Sequence, residues 1–160
     1  MQSWEVTQKL LAFAPTYEIS VPGNPAVLMT VKGKLATATP KLSLMQGGPD
    51  GPEVGRLEGN FWKTQFRILL PDGAQVGQLT FPFFMFKKSF TLTFGGNSWS
   101  AEGGYAGWAF RCRDAQGQTV FEIARQATLR DRFRVDVADG VPAEVGCLAA
   151  VAVDQRLFQQ

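Results

Sequence analysis

One uninterrupted apolar run near the end of the chain constrains the fold more than any other feature. Residues 145–153 lie between Glu144 and Asp154 and place no polar side chain on any face of a helix. Such a helix cannot lie on a surface and must be enclosed on all sides. Nine helical residues rise only about 14 Å, whereas a membrane span needs about 20 residues. The sequence therefore predicts an enclosed central helix over about 142–155, with its core formed by Val145, Cys147, Leu148, Val151 and Val153.

The rest of the chain repeats one hairpin unit six times. Each unit has two extended halves around a turn and closes at a second turn that contains glycine. At the anchor of each unit, one apolar residue is followed two places later by another, with a polar residue between them. This alternation is typical of a strand with one buried face. The anchors lie 20 to 25 residues apart, at Tyr17, Leu42, Phe66, Phe90, Phe110 and Phe133.

Six units of two strands each predict twelve strands in an antiparallel sheet. Side chains just fill a barrel of eight strands, and a larger barrel leaves a lumen that must hold something. The C-terminal helix is the apolar element available to fill it, and closure removes the exposed sheet edges. We therefore predict an all-β protein, a closed twelve-stranded antiparallel barrel over about 3–138 around the buried helix. A single domain spans 1–160 in this prediction, and a ligand-binding barrel would need a lumen that the helix already fills.

Several short segments, taken in order, resemble the LURP-one-related proteins. They are 32–35, 72–73, 114–123, 131–137 and the apolar run that ends at Asp154. That family belongs with the phospholipid scramblases and the tubby C-terminal domain in one structural superfamily, so the resemblance implies the same barrel around a C-terminal helix. Tubby-like members bind phosphoinositide head groups, and scramblases act at membranes and are reported to bind calcium. The resemblance assigns no head-group or calcium ligand to a residue of this chain.

The composition removes the commonest catalytic side chains. The chain has no histidine, the usual general base and metal ligand. Cys112 and Cys147 are too few for a zinc site or a disulfide framework, and we expect two buried thiols. Asp136 and Asp139 are close in sequence, but strand-face solvation and turn formation account for them. The sequence thus predicts no enzyme, no cofactor, no metal ligand and no catalytic residue.

Charge and the first residues bear on location and partners. Sixteen basic residues against fourteen acidic ones, a formal charge of +2, give no indication of nucleic-acid binding. A secretory signal has a basic stretch followed by an apolar run. The segment 1–5 does not begin such a pattern. We expect a cytoplasmic protein that can lie at the periphery of a membrane.

Arginines in the last two units form the first candidate binding surface. Arg111 and Arg113 share one strand face and Arg132 and Arg134 another, so neighbouring hairpins would present a basic stripe. Guanidinium groups suit phosphates. Carboxylates at 114, 122, 131 and 136 lie among them, so ordinary cross-strand ion pairing is the alternative. The candidate anion-binding residues are Arg111, Arg113, Arg125, Arg130, Arg132 and Arg134.

An aromatic segment in the fourth unit, 81–88, forms the second candidate. As a hairpin tip it would dip Phe83 and Phe84 into a lipid interface while Lys87 and Lys88 meet anionic head groups. The alternation of strand faces favours another interpretation, in which the phenylalanines belong to the core and the lysines only solvate the turn.

These two surfaces predict a non-enzymatic soluble module that binds anionic phospholipid head groups or a membrane surface through the barrel exterior. The alternative is a protein–protein interaction scaffold that uses the same exterior. Lipid binding would depend strongly on salt, whereas a mainly apolar protein contact would not.

Overall fold

The computed structural model describes residues 1–9, 13–103, 108–126 and 131–159, with the backbone alone at Glu102. Twelve β-strands are followed by one α-helix and a short π-helix. The strands are β1 Gln2–Gln8, β2 Thr16–Val21, β3 Asn24–Gly33, β4 Lys41–Gln46, β5 Glu53–Gly59, β6 Gln65–Leu69, β7 Gln75–Thr80, β8 Ser89–Phe94, β9 Asn97–Gly103, β10 Ala109–Arg113, β11 Thr119–Arg125 and β12 Arg132–Val137.

The sheet closes on itself. Each strand pairs in antiparallel fashion with its neighbours in sequence, and β1 pairs with β12 with Gln2 opposite Val137. No strand edge is left open in such an arrangement, which protects the sheet against pairing with other chains. The closed twelve-stranded antiparallel barrel predicted from the repeats is confirmed.

The anchors of the six units all face the interior. Tyr17, Leu42, Phe66, Phe90, Phe110 and Phe133 are buried, as is the apolar residue two places after each of them. A slip of one residue in the strand pairing would turn every anchor of that strand to the solvent, so the anchors also define the register. The alternation therefore defines the inner face of the barrel.

The predicted central helix occupies the lumen. Helix α1, Ala143–Val153, is buried at every position from Val145 to Val153, and this stretch includes all five predicted core residues. Beyond Val153 the backbone continues as the π-helix Asp154–Phe158, where the sequence had predicted an α-helix to about 155. Both cysteines are free and buried, and burial raises the pKa of Cys112 to about 12.

Two glycines bring α1 close to the barrel wall. A Cβ atom on Gly55 of β5 would lie 3.2 Å from Leu148 Cδ1, and one on Gly146 would lie only 2.4 Å from Val137 Cγ2. Interior packing at this density leaves no room for an added methyl group without movement. One glycine on the strand side and one on the helix side thus allow α1 to lie this close to the barrel wall.

The connections at the two ends of the barrel differ in length. Those at the short-turn end cover 22–23, 47–52, 70–74, 95–96, 114–118 and 138–142. Those at the long-loop end have as their described residues 9, 13–15, 34–40, 60–64, 81–88, 108, 126 and 131. The chain enters α1 at the short-turn end, and the π-helix lies at the long-loop end, where Lys88 contacts Leu157.

Candidate functional site

The arginines on the outside of the barrel wall lie beside carboxylates. Arg111 of β10 pairs with Glu122, which is directly opposite on β11. Arg132 Nη1 lies 3.8 Å from Glu5 Oε1 across the β1–β12 pair. These contacts follow from strand register, which places opposite charges side by side.

Arg134 is held in the same way. Its Nε lies 3.2 Å from Asp136 Oδ1, and its Nη2 donates to Ser3 Oγ at 3.1 Å. Arg113 is exposed, and Arg130 lies outside the described residues. The predicted basic stripe is therefore interleaved with acids, as the ion-pairing alternative expected.

Two of the predicted anion-binding residues face the π-helix. Arg125 Nη1 donates to the carbonyl oxygen of Phe158 at 3.1 Å, and its guanidinium carbon lies 5.5 Å from the centre of the Phe158 ring. Lys88 Nζ donates to the carbonyl oxygen of Leu157 at 3.0 Å. Cations at a helix C-terminus satisfy its unpaired carbonyls and its dipole. Both side chains therefore already have a structural role at the end of the helix.

The segment 81–88 is a connection without strand structure, and this decides how its phenylalanines lie. Phe81 is buried, whereas Phe83, Phe84 and Phe86 are exposed, Phe84 by 84%. The interpretation of the phenylalanines as core residues is thus wrong for three of the four, because alternation applies only where a strand is formed. Arg156 of the π-helix supports the segment by donating to the carbonyl oxygens of Pro82 and Phe83.

A neighbouring connection extends this exposed aromatic surface. Phe61 and Trp62 are exposed, and Trp62 contacts both Phe61 at 5.0 Å and Phe83 at 5.4 Å between ring centroids. Phe83 in turn contacts Phe84 at 4.8 Å. Sequence reasoning did not find Phe61 and Trp62, although their place in a turn segment was a usable signal. We call this set the aromatic rim: Phe61, Trp62, Phe83, Phe84 and Phe86.

The two ends also differ in charge, which the sequence of their connections shows directly. In their described residues, the long-loop connections carry one acidic residue, Asp131, beside the basic residues Lys9, Lys34, Lys63, Lys87 and Lys88. The short-turn connections carry Asp50, Asp72, Asp114 and Asp139 and contain no lysine or arginine. The aromatic rim therefore lies at the basic end of the barrel.

A buried polar network closes the lumen beneath the long-loop end. Tyr17 donates its phenolic hydrogen to Asp154 Oδ2 at 2.7 Å, and Gln155 and Gln159 each donate to the Tyr17 hydroxyl at 2.9 Å. Burial raises the pKa of Asp154, and its hydrogen bonds from Tyr17 and Gln159 together with the positive charges of Arg125 and Lys63 oppose that rise. The network satisfies polar groups that would otherwise be costly to bury.

The part of the chain that the structure describes has no cluster of metal-ligating side chains and no helix suited to span a membrane. There, no group of three or more acidic, cysteine or histidine side chains is arranged to hold a metal ion. No helix in these ranges has the length and apolar character required to cross a bilayer.

The fold and this surface define a class, a twelve-stranded barrel around a C-terminal helix with an aromatic and basic end. A family model described as LURP-one-related matches residues 3–154. The chain belongs to the LURP-one-related family, as the order of its sequence segments had indicated. The comparison with curated proteins gives no match.

Proposed function

We propose that this protein is a non-enzymatic module that binds anionic membrane surfaces through the long-loop end of its barrel. The observation that supports this most strongly is the aromatic rim. All five of its members are exposed, and Phe61, Trp62, Phe83 and Phe84 contact one another in a chain of rings. An exposed apolar cluster of this kind marks a contact surface. Tryptophan and other aromatic side chains favour the level of the lipid head groups.

Charge supports the choice of a membrane over an apolar protein partner. Lysines at 34, 63 and 87 lie in connections at the same end as the aromatic rim. A basic residue near an anionic surface contributes about 1 kcal/mol. The acidic connections at the opposite end would be repelled by the same surface, so the molecule would be oriented with its long-loop end toward the lipid.

The proposal moves the binding surface from the wall arginines to the end of the barrel. Arg111, Arg132 and Arg134 already lie beside carboxylates, whereas the side chains of the aromatic rim are exposed. The predicted contacts at Phe83 and Phe84 are kept and extended to Phe61, Trp62 and Phe86. Membership of the LURP-one-related family fits a module without catalysis.

Vesicle co-sedimentation tests the proposal. Wild-type protein is mixed with neutral phosphatidylcholine vesicles and with phosphatidylcholine–phosphatidylserine vesicles, at low and at physiological salt. We expect binding to the anionic vesicles that weakens with salt. The double variant Trp62→Ser/Phe84→Ser should bind at least about tenfold more weakly, because two large apolar side chains no longer enter the interface.

The matched control is Leu70→Ser, which removes an exposed apolar side chain from the short-turn end. It should bind vesicles as the wild type does. Absence of binding to any vesicle would contradict the proposal and favour the protein-interaction scaffold. Equal binding by the wild type and the aromatic double variant would show that the rim is not the contact surface.

A further inference from the structure

A pocket of about 230 Å³ opens at the long-loop end beside the aromatic rim. Pro15 and the β3–β4 connection form one side, and Phe61 and Lys63 form the other. Gln155 of the π-helix lines it as well, so the pocket lies at the mouth of the barrel. Phe61 belongs both to the pocket and to the aromatic rim, so an occupant would lie beside a membrane-facing surface.

Three lysines line the pocket, Lys34, Lys41 and Lys63, and no acidic residue does. Within the described ranges none of the three forms an ion pair. The nearby carboxylates on the wall have other partners, since Glu58 pairs with Arg67 at 3.2 Å and Glu18 with Lys9 at 3.3 Å. Asp154 is buried below and already accepts hydrogen bonds from Tyr17 and Gln159. The pocket is thus a concentration of positive charge whose lysines form no ion pair among the described residues, while the charge of Lys63 also acts on the buried Asp154 carboxylate.

The backbone on both sides of the pocket is held in an uncommon conformation. Lys63 has φ of 55° and Ala36 has φ of 57°, and in the described parts of the chain these are the non-glycine residues with positive φ. One lies in each of the two connections that flank the pocket. A side chain in this conformation costs energy, and such residues concentrate at ligand-binding sites.

The connection that carries Lys63 is fixed by hydrogen bonds. Its amide donates to the carbonyl oxygen of Asn60 at 3.1 Å, and Asn60 Oδ1 accepts from the amides of Thr64 at 2.9 Å and Gln65 at 3.2 Å. The Asn60 amide group also donates to the Thr64 hydroxyl. The backbone at Lys63 is therefore held in place before any ligand binds, which reduces the entropic cost of ordering this connection on binding.

We propose that this pocket binds a phosphate group, with Lys34, Lys41 and Lys63 as its cationic contacts. Lysine binds phosphate as a compact point charge, and a phosphomonoester carries a charge of about −1.5 to −2 at neutral pH. The phosphate can belong to a lipid head group or to a soluble phosphate. The lipid form of this proposal rests on the membrane binding proposed above, whereas the pocket itself does not.

The first arm of the test uses phosphatidate vesicles, which present a phosphomonoester, and phosphatidylserine vesicles of matched surface potential. Wild-type protein should bind phosphatidate about fivefold more tightly. The variant Lys34→Gln/Lys63→Gln should lose this preference. The control Lys32→Gln/Arg113→Gln removes the same charge outside the pocket and should keep it. A preference that survives in the pocket variant, or is lost equally in both variants, overturns the lipid form.

The second arm uses inorganic pyrophosphate in thermal unfolding, against sodium chloride at the same ionic strength. Pyrophosphate should raise the melting temperature of the wild type and of the Lys32→Gln/Arg113→Gln control, but not that of Lys34→Gln/Lys63→Gln. If vesicle binding fails while this difference holds, the pocket is supported and the membrane proposal is overturned. The remaining outcome is that the protein binds phosphatidylserine vesicles while the pocket variant and the control behave alike in both arms. That result overturns the pocket proposal and leaves the membrane proposal standing.

Discussion

The two ends of the barrel are built in opposite ways. The short-turn end has brief acidic connections, and there α1 enters against the wall with Gly146 beside Val137. The long-loop end has long basic connections with exposed aromatic side chains, and there the chain closes the lumen through the polar network around Tyr17 and Asp154. One end is packed by apolar complementarity, whereas the other is held by hydrogen bonds and cations.

The two ends therefore differ in role. The short-turn end packs the helix, and the long-loop end presents exposed side chains. At the short-turn end, α1 packs against the barrel wall, and a pocket of about 310 Å³ lined mainly by apolar side chains lies beside the helix. At the long-loop end, the cations Arg125, Lys88 and Arg156 bind backbone carbonyls of the π-helix and of the 81–88 connection. Those bonds hold exposed apolar loops in place without burying them, which is the arrangement that a preorganised contact surface needs.

Both ends depend on the helix that joins them, so the largest effect is expected from Leu148→Asp. Leu148 is fully buried, and a carboxylate there would be desolvated without a partner. We expect loss of the cooperative thermal transition by circular dichroism. Leu148→Met keeps the volume and should cost less than about 1.5 kcal/mol. A soluble Leu148→Asp protein that melts cooperatively would show that the helix does not hold the two ends together.

At the short-turn end, Gly146→Ala should destabilise the protein by roughly 1–3 kcal/mol, because the new methyl group would meet Val137 Cγ2 at 2.4 Å. In a Val137→Ala background the same change should be nearly neutral, since alanine favours the helix. Gly140→Ala is the control, because a Cβ there meets nothing within 4 Å. Denaturant midpoints measure these differences, and equal costs at 140 and 146 would exclude tight packing at this end.

At the long-loop end, Arg125→Met should lower stability by about 1–3 kcal/mol through loss of its bond to the Phe158 carbonyl and its contact with the ring. Arg113→Met, at an exposed position on the neighbouring strand, should change stability by less than about 0.5 kcal/mol. Thermal unfolding of both variants compares a cation that caps the helix with one that faces solvent. A stable Arg125→Met protein that loses vesicle binding would contradict this structural role and would place Arg125 in the contact surface.

The polar network gives the long-loop end a dependence on pH. Because burial raises the pKa of Asp154, the folded state binds a proton more readily than the unfolded chain, and stability from this group falls as pH rises from about 3.8 through the raised pKa. Asp154→Asn stays neutral and can still accept from Tyr17. The variant should gain stability relative to wild type by about 1.4 kcal/mol for each unit of the pKa rise.

Denaturant unfolding between pH 3.5 and 7 measures this difference, with exposed Asp50→Asn as the control. The advantage of the asparagine variant should grow across the interval. An advantage that shrinks as pH rises would mean that the pKa of Asp154 is lowered in the folded protein.

The smallest effect is expected from neutralising acids at the short-turn end. Strands of about six residues separate the two ends by about 20 Å, more than the Debye length of about 8 Å at physiological salt. Asp50→Asn/Asp72→Asn should therefore change vesicle affinity by less than about twofold at that salt. A larger gain in co-sedimentation would place the short-turn end near the membrane and break the proposed orientation.

Much of the fold could be read from residue periodicity. The alternation at anchors such as Tyr17 and Phe133 predicted which face each strand buries, and the apolar run 145–153 predicted an enclosed helix. Both patterns lie within short stretches of sequence. Together they favour a barrel whose strands bury one face against an enclosed helix. The candidate site was harder to predict, because the same alternation was applied to 81–88, where no strand forms and three phenylalanines are exposed.

By itself, the sequence determined the number of strands, the inner face of the barrel and the element that fills it, because hydrophobic periodicity records which side chains must leave water. Only the tertiary structure decided which arginines face acids, which cations cap the π-helix, and that Trp62 meets Phe83. These contacts join residues far apart in the chain, and they depend on strand register and on the path of the last turn. The sequence shows which residues are charged or aromatic, but which of them contact one another is determined only when the barrel closes.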